Sequence, residues 1–185
     1  MTFESFVKER CAESPEFKCE WDKLHEISSI GEALAMLEKL DAEVRGNELP
    51  PDVDTLLNNK GIKANSVIPN TILFYEASNK CPVAEFIKGI QNGKLQAKIA
   101  KDIELLAVEG YRLTQPKVKY VADGIYELRT QQGTNITRIF YFFAIGANII
   151  LTNGYIKKRQ KLDDEAFEKA KKYRDEYSKR INKGE

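Results

Sequence analysis

Histidine is nearly absent from this chain: His25 is the only one in 185 residues. That inventory excludes a two-histidine ribonuclease and, with His25 set in an acidic stretch near a helix end, a Ser/His/Asp hydrolase. Cysteine is almost as scarce. Cys11, Cys19 and Cys81 share no CxxC spacing, and their odd number argues against a closed disulfide framework or a structural zinc site, leaving reduced thiols. No GxxxxGK[ST] loop, GxGxxG fingerprint or HExxH helix occurs, so nucleotide-triphosphate, dinucleotide and zinc-protease chemistry lose their best support. Neither a metal nor a cofactor is expected. Long hydrophobic runs are missing too: the longest, from Ile136 to Leu151, is broken by Thr137, Arg138, Gly146 and Asn148 and is too short to span a bilayer. The opening Thr2-Phe3-Glu4-Ser5 places acid early, without an apolar stretch of signal-peptide type. A cytoplasmic protein with no membrane partner is the expectation.

What the chain does have is core-forming capacity and an uneven charge. With 42% hydrophobic and 31% charged residues it can bury a real core, so wholesale disorder is not expected. The net charge of +1 hides a division near residue 70. Residues 1–70 hold 8 basic and 14 acidic side chains, for −6; the remaining 21 basic and 14 acidic side chains give residues 71–185 a charge of +7. An acidic first part thus precedes a basic second part.

The first part reads as helices. Phe3, Phe6, Val7 and Arg10 share one stripe, and Ser14-Pro15-Glu16 supplies an N-cap, an N1 proline and a first-turn acid for a second helix carrying Phe17, Trp21 and Leu24. Ser29 and Glu32 open a third helix with Ile30, Leu34, Leu37, Leu40 and Val44 on one side and Gly46 at its end; Pro50-Pro51 and the turn at residues 58–61 follow. From residue 71 the order is β-α-α-β-β-β-β-α: a strand around Ile72 to Glu76, a helix from Pro82, and a helix bearing Leu95, Ile99, Ile103 and Leu106. Strands follow at Val118 to Val121, Ile125 to Thr130, Ile136 to Ala144 and Ile149 to Ile156. A closing helix carries Phe167, Ala170, Arg174, Tyr177 and Ile181 on one face. A helical hairpin followed by a meander implies an antiparallel sheet packed by helices, hence an α+β domain.

Arginine inside strands is the chemical feature of this second part. Arg129 ends Tyr126-Glu127-Leu128, and Arg138 lies in Thr137-Arg138-Ile139-Phe140-Tyr141. A guanidinium is always charged and fork-shaped, so its natural partners are carboxylates or phosphates. Period two puts Arg138, Phe140 and Phe142 on one face and Ile139, Tyr141 and Phe143 on the other, which makes Tyr141 a core residue rather than a catalytic one. The purely structural role for Arg138 is a salt bridge to Glu127 across the hairpin. Lys157, Lys158, Arg159 and Lys161 form the densest basic cluster, where the last strand exits, and Tyr155 just before them can stack a base. Together with the strand arginines they describe one cationic surface suited to a nucleic-acid backbone.

These residues resemble a known family. Asp123-Gly124-Ile125-Tyr126-Glu127-Leu128-Arg129, then Arg138-Ile139-Phe140-Tyr141, then Gly154-Tyr155-Ile156-Lys157-Lys158-Arg159-Gln160-Lys161 are similar to the phage-derived branch of the RelE/HigB toxin superfamily over about residues 71–180. The resemblance implies a RelE-like sheet and a small toxin of a type II toxin–antitoxin system: a ribosome-dependent endoribonuclease that cuts mRNA and so inhibits translation. On that reading Arg129, Arg138, Lys157 and Lys161 are the catalytic candidates and Lys158, Arg159 and Tyr155 bind RNA. The partners would be mRNA, the ribosome and a separate helix-turn-helix antitoxin. Thr2-Phe3-Glu4, Ser14-Pro15-Glu16-Phe17-Lys18 and Glu20-Trp21 are also similar to the opening of the antitoxins that accompany this branch. Residues 1–70 are accordingly expected to be an acidic, helical, antitoxin-like extension whose residues 1–46 dock through Phe3, Phe6, Phe17 and Trp21 and restrain the toxin-like domain, residues 71–185; the other reading is a helical extension that simply enlarges the core. The alternative is a non-enzymatic regulator that binds nucleic acid or protein on a toxin-like fold.

Overall fold

A computed structural model of the chain describes residues 1–25, 70–78, 80–145, 147–157 and 163–182. The helix expected around Ile30 to Val44, the Pro50-Pro51 break and the turn at 58–61 lie outside the described residues, as do Lys158, Arg159 and Lys161 of the basic cluster. Two compact units partition the chain: Met1–Trp21 joined with Pro69–Glu185, and Asp22–Ile68. The sheet unit thus draws in the first helix from across the charge boundary near residue 70.

Helix α1 (Phe3–Glu13) starts at Thr2, whose side chain accepts from Ser5 N at 3.2 Å, and gives way at Ser14, whose hydroxyl accepts from Phe17 N at 3.2 Å to open α2, residues 15–25. Strand β1 (Thr71–Phe74) leads to α3 (Pro82–Lys88) and α4 (Gly93–Glu109). A meander follows, with β2 (Val118–Ala122), β3 (Ile125–Gln132), β4 (Asn135–Ala144) and β5 (Asn148–Ile156), and α5 (Asp164–Asn182) closes the unit. The structure is α+β, with helices on both faces of a five-stranded sheet ordered β1-β5-β4-β3-β2. The expected element order is reproduced. One pairing departs from an all-antiparallel sheet: β1 runs parallel to β5, because α3 and α4 carry the chain from β1 to the opposite edge before the meander returns.

Each strand divides its side chains by period two. Ile125 and Phe140 pack with Ala166 and Ala170 of α5, and Phe142 packs with Tyr75, Ile150, Tyr173 and Tyr177. On the other face Thr130 Oγ1 donates to the buried Asp102 of α4 at 2.7 Å, and Lys117 reaches the same carboxylate at 2.5 Å. Tyr141 is a core residue, 1% exposed. The stripe of α5 differs in two places from the expected one. Tyr173 takes the inward place foreseen for Arg174, which turns to the Asp123 carbonyl, and Ile181 is half exposed. The β2–β3 turn is Asp123-Gly124, with positive φ at both residues (52° and 74°), as a twisted two-residue hairpin requires.

A bulge in β5 decides what faces α5. Phe140 pairs with Asn153 but Tyr141 with Leu151, which leaves Thr152 unmatched. The extra residue shifts the alternation, so Asn153 and Tyr155 share the face of Phe140 and Arg138 while Gly154 turns toward α3. There a Cβ on Gly154 would lie 2.3 Å from the Phe86 ring and 3.1 Å from the Arg138 carbonyl. Gly154→Ala is therefore expected to lose about 1–3 kcal/mol of stability by overpacking. Thermal denaturation followed by circular dichroism checks this, and an unchanged melting temperature would show that Phe86 yields freely.

Candidate functional site

Three adjacent strands place the site in one row. Arg129 of β3 is paired with Arg138 of β4, and Arg138 in turn with Tyr155 of β5. Two like charges directly opposite each other repel, so the row needs an anion. Glu127, two residues before Arg129 on the same face and 3% exposed, supplies it. Its Oε1 accepts from Arg129 Nε at 2.7 Å and lies 2.6 Å from Arg129 Nη2. Arg138 Nε stands 3.6 Å from the same oxygen, an ion-pair distance too long for a hydrogen bond. The salt bridge weighed from the sequence is present, yet Arg129 holds the better part of it.

Arg138 is 9% exposed. Its Nη1 donates to the Thr137 carbonyl at 2.9 Å, while its Nε is shielded from solvent with no hydrogen-bond partner among the described residues. Burial lowers its pKa; the Glu127 carboxylate opposes that shift and neighbouring Arg129 adds to it. Tyr155 is half buried, its ring tilted against Phe140 at 5.5 Å; its hydroxyl oxygen is buried facing the Asp163 backbone N–H, and its proton finds no acceptor among the described residues. Burial raises the Tyr155 pKa above the ordinary tyrosine value, and Glu127 pushes it further the same way, so the hydroxyl stays a protonated donor throughout the physiological range.

The supporting structure is polar and well tied. Asn153 Nδ2 donates to the Ala166 carbonyl at 2.9 Å, fixing β5 to the first turn of α5, and Asp163 caps that helix by accepting from Ala166 N at 3.0 Å. Lys157 lies just beyond β5, its backbone N–H donating to the Ile136 carbonyl at 2.8 Å, so the strand ladder sets where the basic stretch begins.

The structure therefore brings together Arg129, Arg138 and Tyr155, with Lys157 at the end of the same strand. The residues foreseen as docking contacts pack within the chain on the sheet unit, as expected, but away from the arginine row. Phe3 is 7% exposed, and Phe6 and Phe17 are fully buried; the Phe6 and Phe74 rings lie 5.2 Å apart, and Trp21 stacks on Phe17 at 6.0 Å. Glu127, foreseen only as a salt-bridge partner of Arg138, enters the site as a central member that also holds Arg129. With two guanidinium groups against one carboxylate, the row carries a net charge of +1 and, among the described residues, two buried donors without an acceptor. That arrangement can bind an oxyanion and stabilise negative charge developing on it.

Residues 89–175 match the family model described as phage-derived protein Gp49-like (DUF891), a family of RelE/Gp49-type toxins. The matched span runs from the end of α3 into α5 and contains Glu127, Arg129, Arg138, Tyr155 and Lys157. A search of curated proteins found no match.

Proposed function

We propose that this protein is the toxin of a type II toxin–antitoxin system and acts as a ribosome-dependent mRNA endonuclease. The observation that carries the reading is the row Arg129–Arg138–Tyr155 with its unsatisfied buried donors, inside the segment that matches the Gp49-like family. In the reaction an RNA 2′-oxygen attacks the adjacent phosphorus. The O2′–P bond forms, the P–O5′ bond breaks, the 2′-hydroxyl proton passes to solvent water and the leaving O5′ takes one from it. Arg129 and Arg138 hold the scissile phosphate and the charge that develops on it, Tyr155 donates to one of its oxygens, and Lys157 with the basic residues after it guides the backbone. Much of the acceleration falls to orientation, which the ribosome supplies by fixing the message. Dependence on the ribosome follows.

The test is to incubate the full chain with mRNA, with and without programmed ribosomes, and map the ends. Cuts only in the presence of ribosomes, leaving 2′,3′-cyclic phosphate and lost in an Arg129→Ala, Arg138→Ala double variant, are expected. Ribosome or RNA binding without any cut would instead favour a regulator that uses the same cationic row for recognition.

A further inference from the structure

We propose that Glu127 is a built-in competitor for the substrate: its carboxylate holds Arg129 and Arg138 until an RNA phosphate displaces it and satisfies Arg138 Nε and Tyr155 Oη. The inference rests on the function proposed above and adds the device that regulates entry to that site.

Three features carry it. Both guanidinium groups meet Glu127 at the same oxygen, Oε1, which lies 2.6 and 2.7 Å from Arg129 nitrogens and 3.6 Å from Arg138 Nε. A carboxylate anchored on the same strand as Arg129 serves that arginine at hydrogen-bond distance and cannot bring Arg138 Nε within it. The second feature is the pair of orphans. Arg138 Nε–H and the Tyr155 hydroxyl proton are both buried without an acceptor among the described residues, on residues directly paired across β4 and β5. Buried donors are almost always satisfied, so two neighbouring exceptions mark where an acceptor belongs. Third, the acceptor that fits is anionic and has more oxygens than a carboxylate. A phosphate can accept from both arginine forks and from a hydroxyl at once, and Glu127, the counter-charge between the arginines, is the group it must replace.

A competitor of this kind sets a threshold. Free phosphate must pay for separating Glu127 from both arginines, whereas an RNA phosphate delivered by the ribosome arrives already positioned. The site therefore discriminates against small free anions although it is cationic.

The experiment uses the full chain and inorganic phosphate, observing the arginine Nε–Hε signals by NMR. Wild type should bind phosphate weakly. Glu127→Gln keeps the shape, removes the competing charge and is expected to tighten phosphate binding about tenfold, with the largest shift at Arg138 Nε. Adding Tyr155→Phe to Glu127→Gln should take back part of that gain. Should Glu127→Gln fail to fold without ligand, Glu127→Asp, which retracts the charge by one methylene, is read in its place and should tighten binding by an intermediate amount. Phosphate affinity that is unchanged or weaker in the Glu127 variant overturns the proposal, since Glu127 would then be a support for the arginines and not their competitor. Ribosome-dependent cleavage by wild type, measured in parallel, separates the two claims. Tighter phosphate binding in a protein that cuts no RNA keeps the competitor and removes the nuclease; cleavage with no gain for Glu127→Gln does the reverse.

Discussion

Replacing Arg138 with alanine is expected to lower ribosome-dependent RNA cleavage by about 10²–10³-fold, the usual consequence of removing one pre-positioned donor to developing negative charge. The fold should survive. Breaking a buried ion pair is costly when the remaining charge is stranded, but Glu127 keeps Arg129 at 2.6 Å after Arg138 has gone. The variant also lightens the crowding of two cations on adjacent strands. Single-turnover cleavage on programmed ribosomes, with a thermal melt of the same preparation, reads both effects. A well-folded Arg138→Ala protein that cuts at the wild-type rate would sink the catalytic assignment. A collapsed melting temperature would return Arg138 to the structural role of bridging Glu127.

The other large effect lies at the opposite face. Phe6→Ala should cost about 3–5 kcal/mol, because the ring is fully buried and the helix that carries it is tied down on several sides. Lys88 binds Glu9 at 2.7 Å, Arg10 Nε donates to Gln96 at 2.9 Å, and the Phe74 N–H donates to the Met1 carbonyl at 2.9 Å. Removing residues 1–21 takes away Phe3, Phe6 and Phe17 together, a loss comparable to the whole stability of an ordinary domain, about 5–15 kcal/mol. The shortened chain is expected to be insoluble or unfolded, as soluble yield and circular dichroism would reveal. A folded 22–185 chain with the wild-type melting temperature would overturn this. The contacts of α1 fall on β1, α3 and α4, whereas Arg129 and Arg138 share the α5 face of the sheet. Residues 1–21 therefore complete a core on the face of the sheet opposite the arginine row.

The order of elements from residue 71 onward was legible because each carries a strong local signal. The apolar spacing of Leu95, Ile99, Ile103 and Leu106, the Asp123-Gly124 turn and the alternation around Arg138 all depend on neighbours in the chain. Three matters were not legible. The bulge at Thr152 has no signature in residues 149–156, since it exists only in the pairing with β4, yet it is what turns Tyr155 toward Arg138. The parallel seat of β1 beside β5 joins segments far apart in sequence, and no periodicity reports such a partner. Charge, the clearest large-scale signal, is silent about which unit the first helix joins: Phe3, Phe6 and Phe17 are buried whatever the acidic side chains around them, because apolar burial contributes more than exposed ionic attraction.

Strand β1 also has a bearing on the order in which the molecule assembles. One of its flanks is met by Thr2, bridged to Leu73, and the other by residues 148–151 of β5. Both neighbours are remote in sequence, so β1 gains little until chain closure over long loops has been achieved, and contacts of that kind form slowly. The same β5 brings Tyr155 to the arginines. Assembly of the hydrophobic edge and assembly of the cationic row thus wait on one late strand. A chain interrupted before β5 presents Phe6 and Phe74 without their full cover and the arginines without their third strand, making it at once sticky and inert. For a protein whose proposed work is to damage its own cell's messages, that coupling ties the appearance of activity to the finished fold.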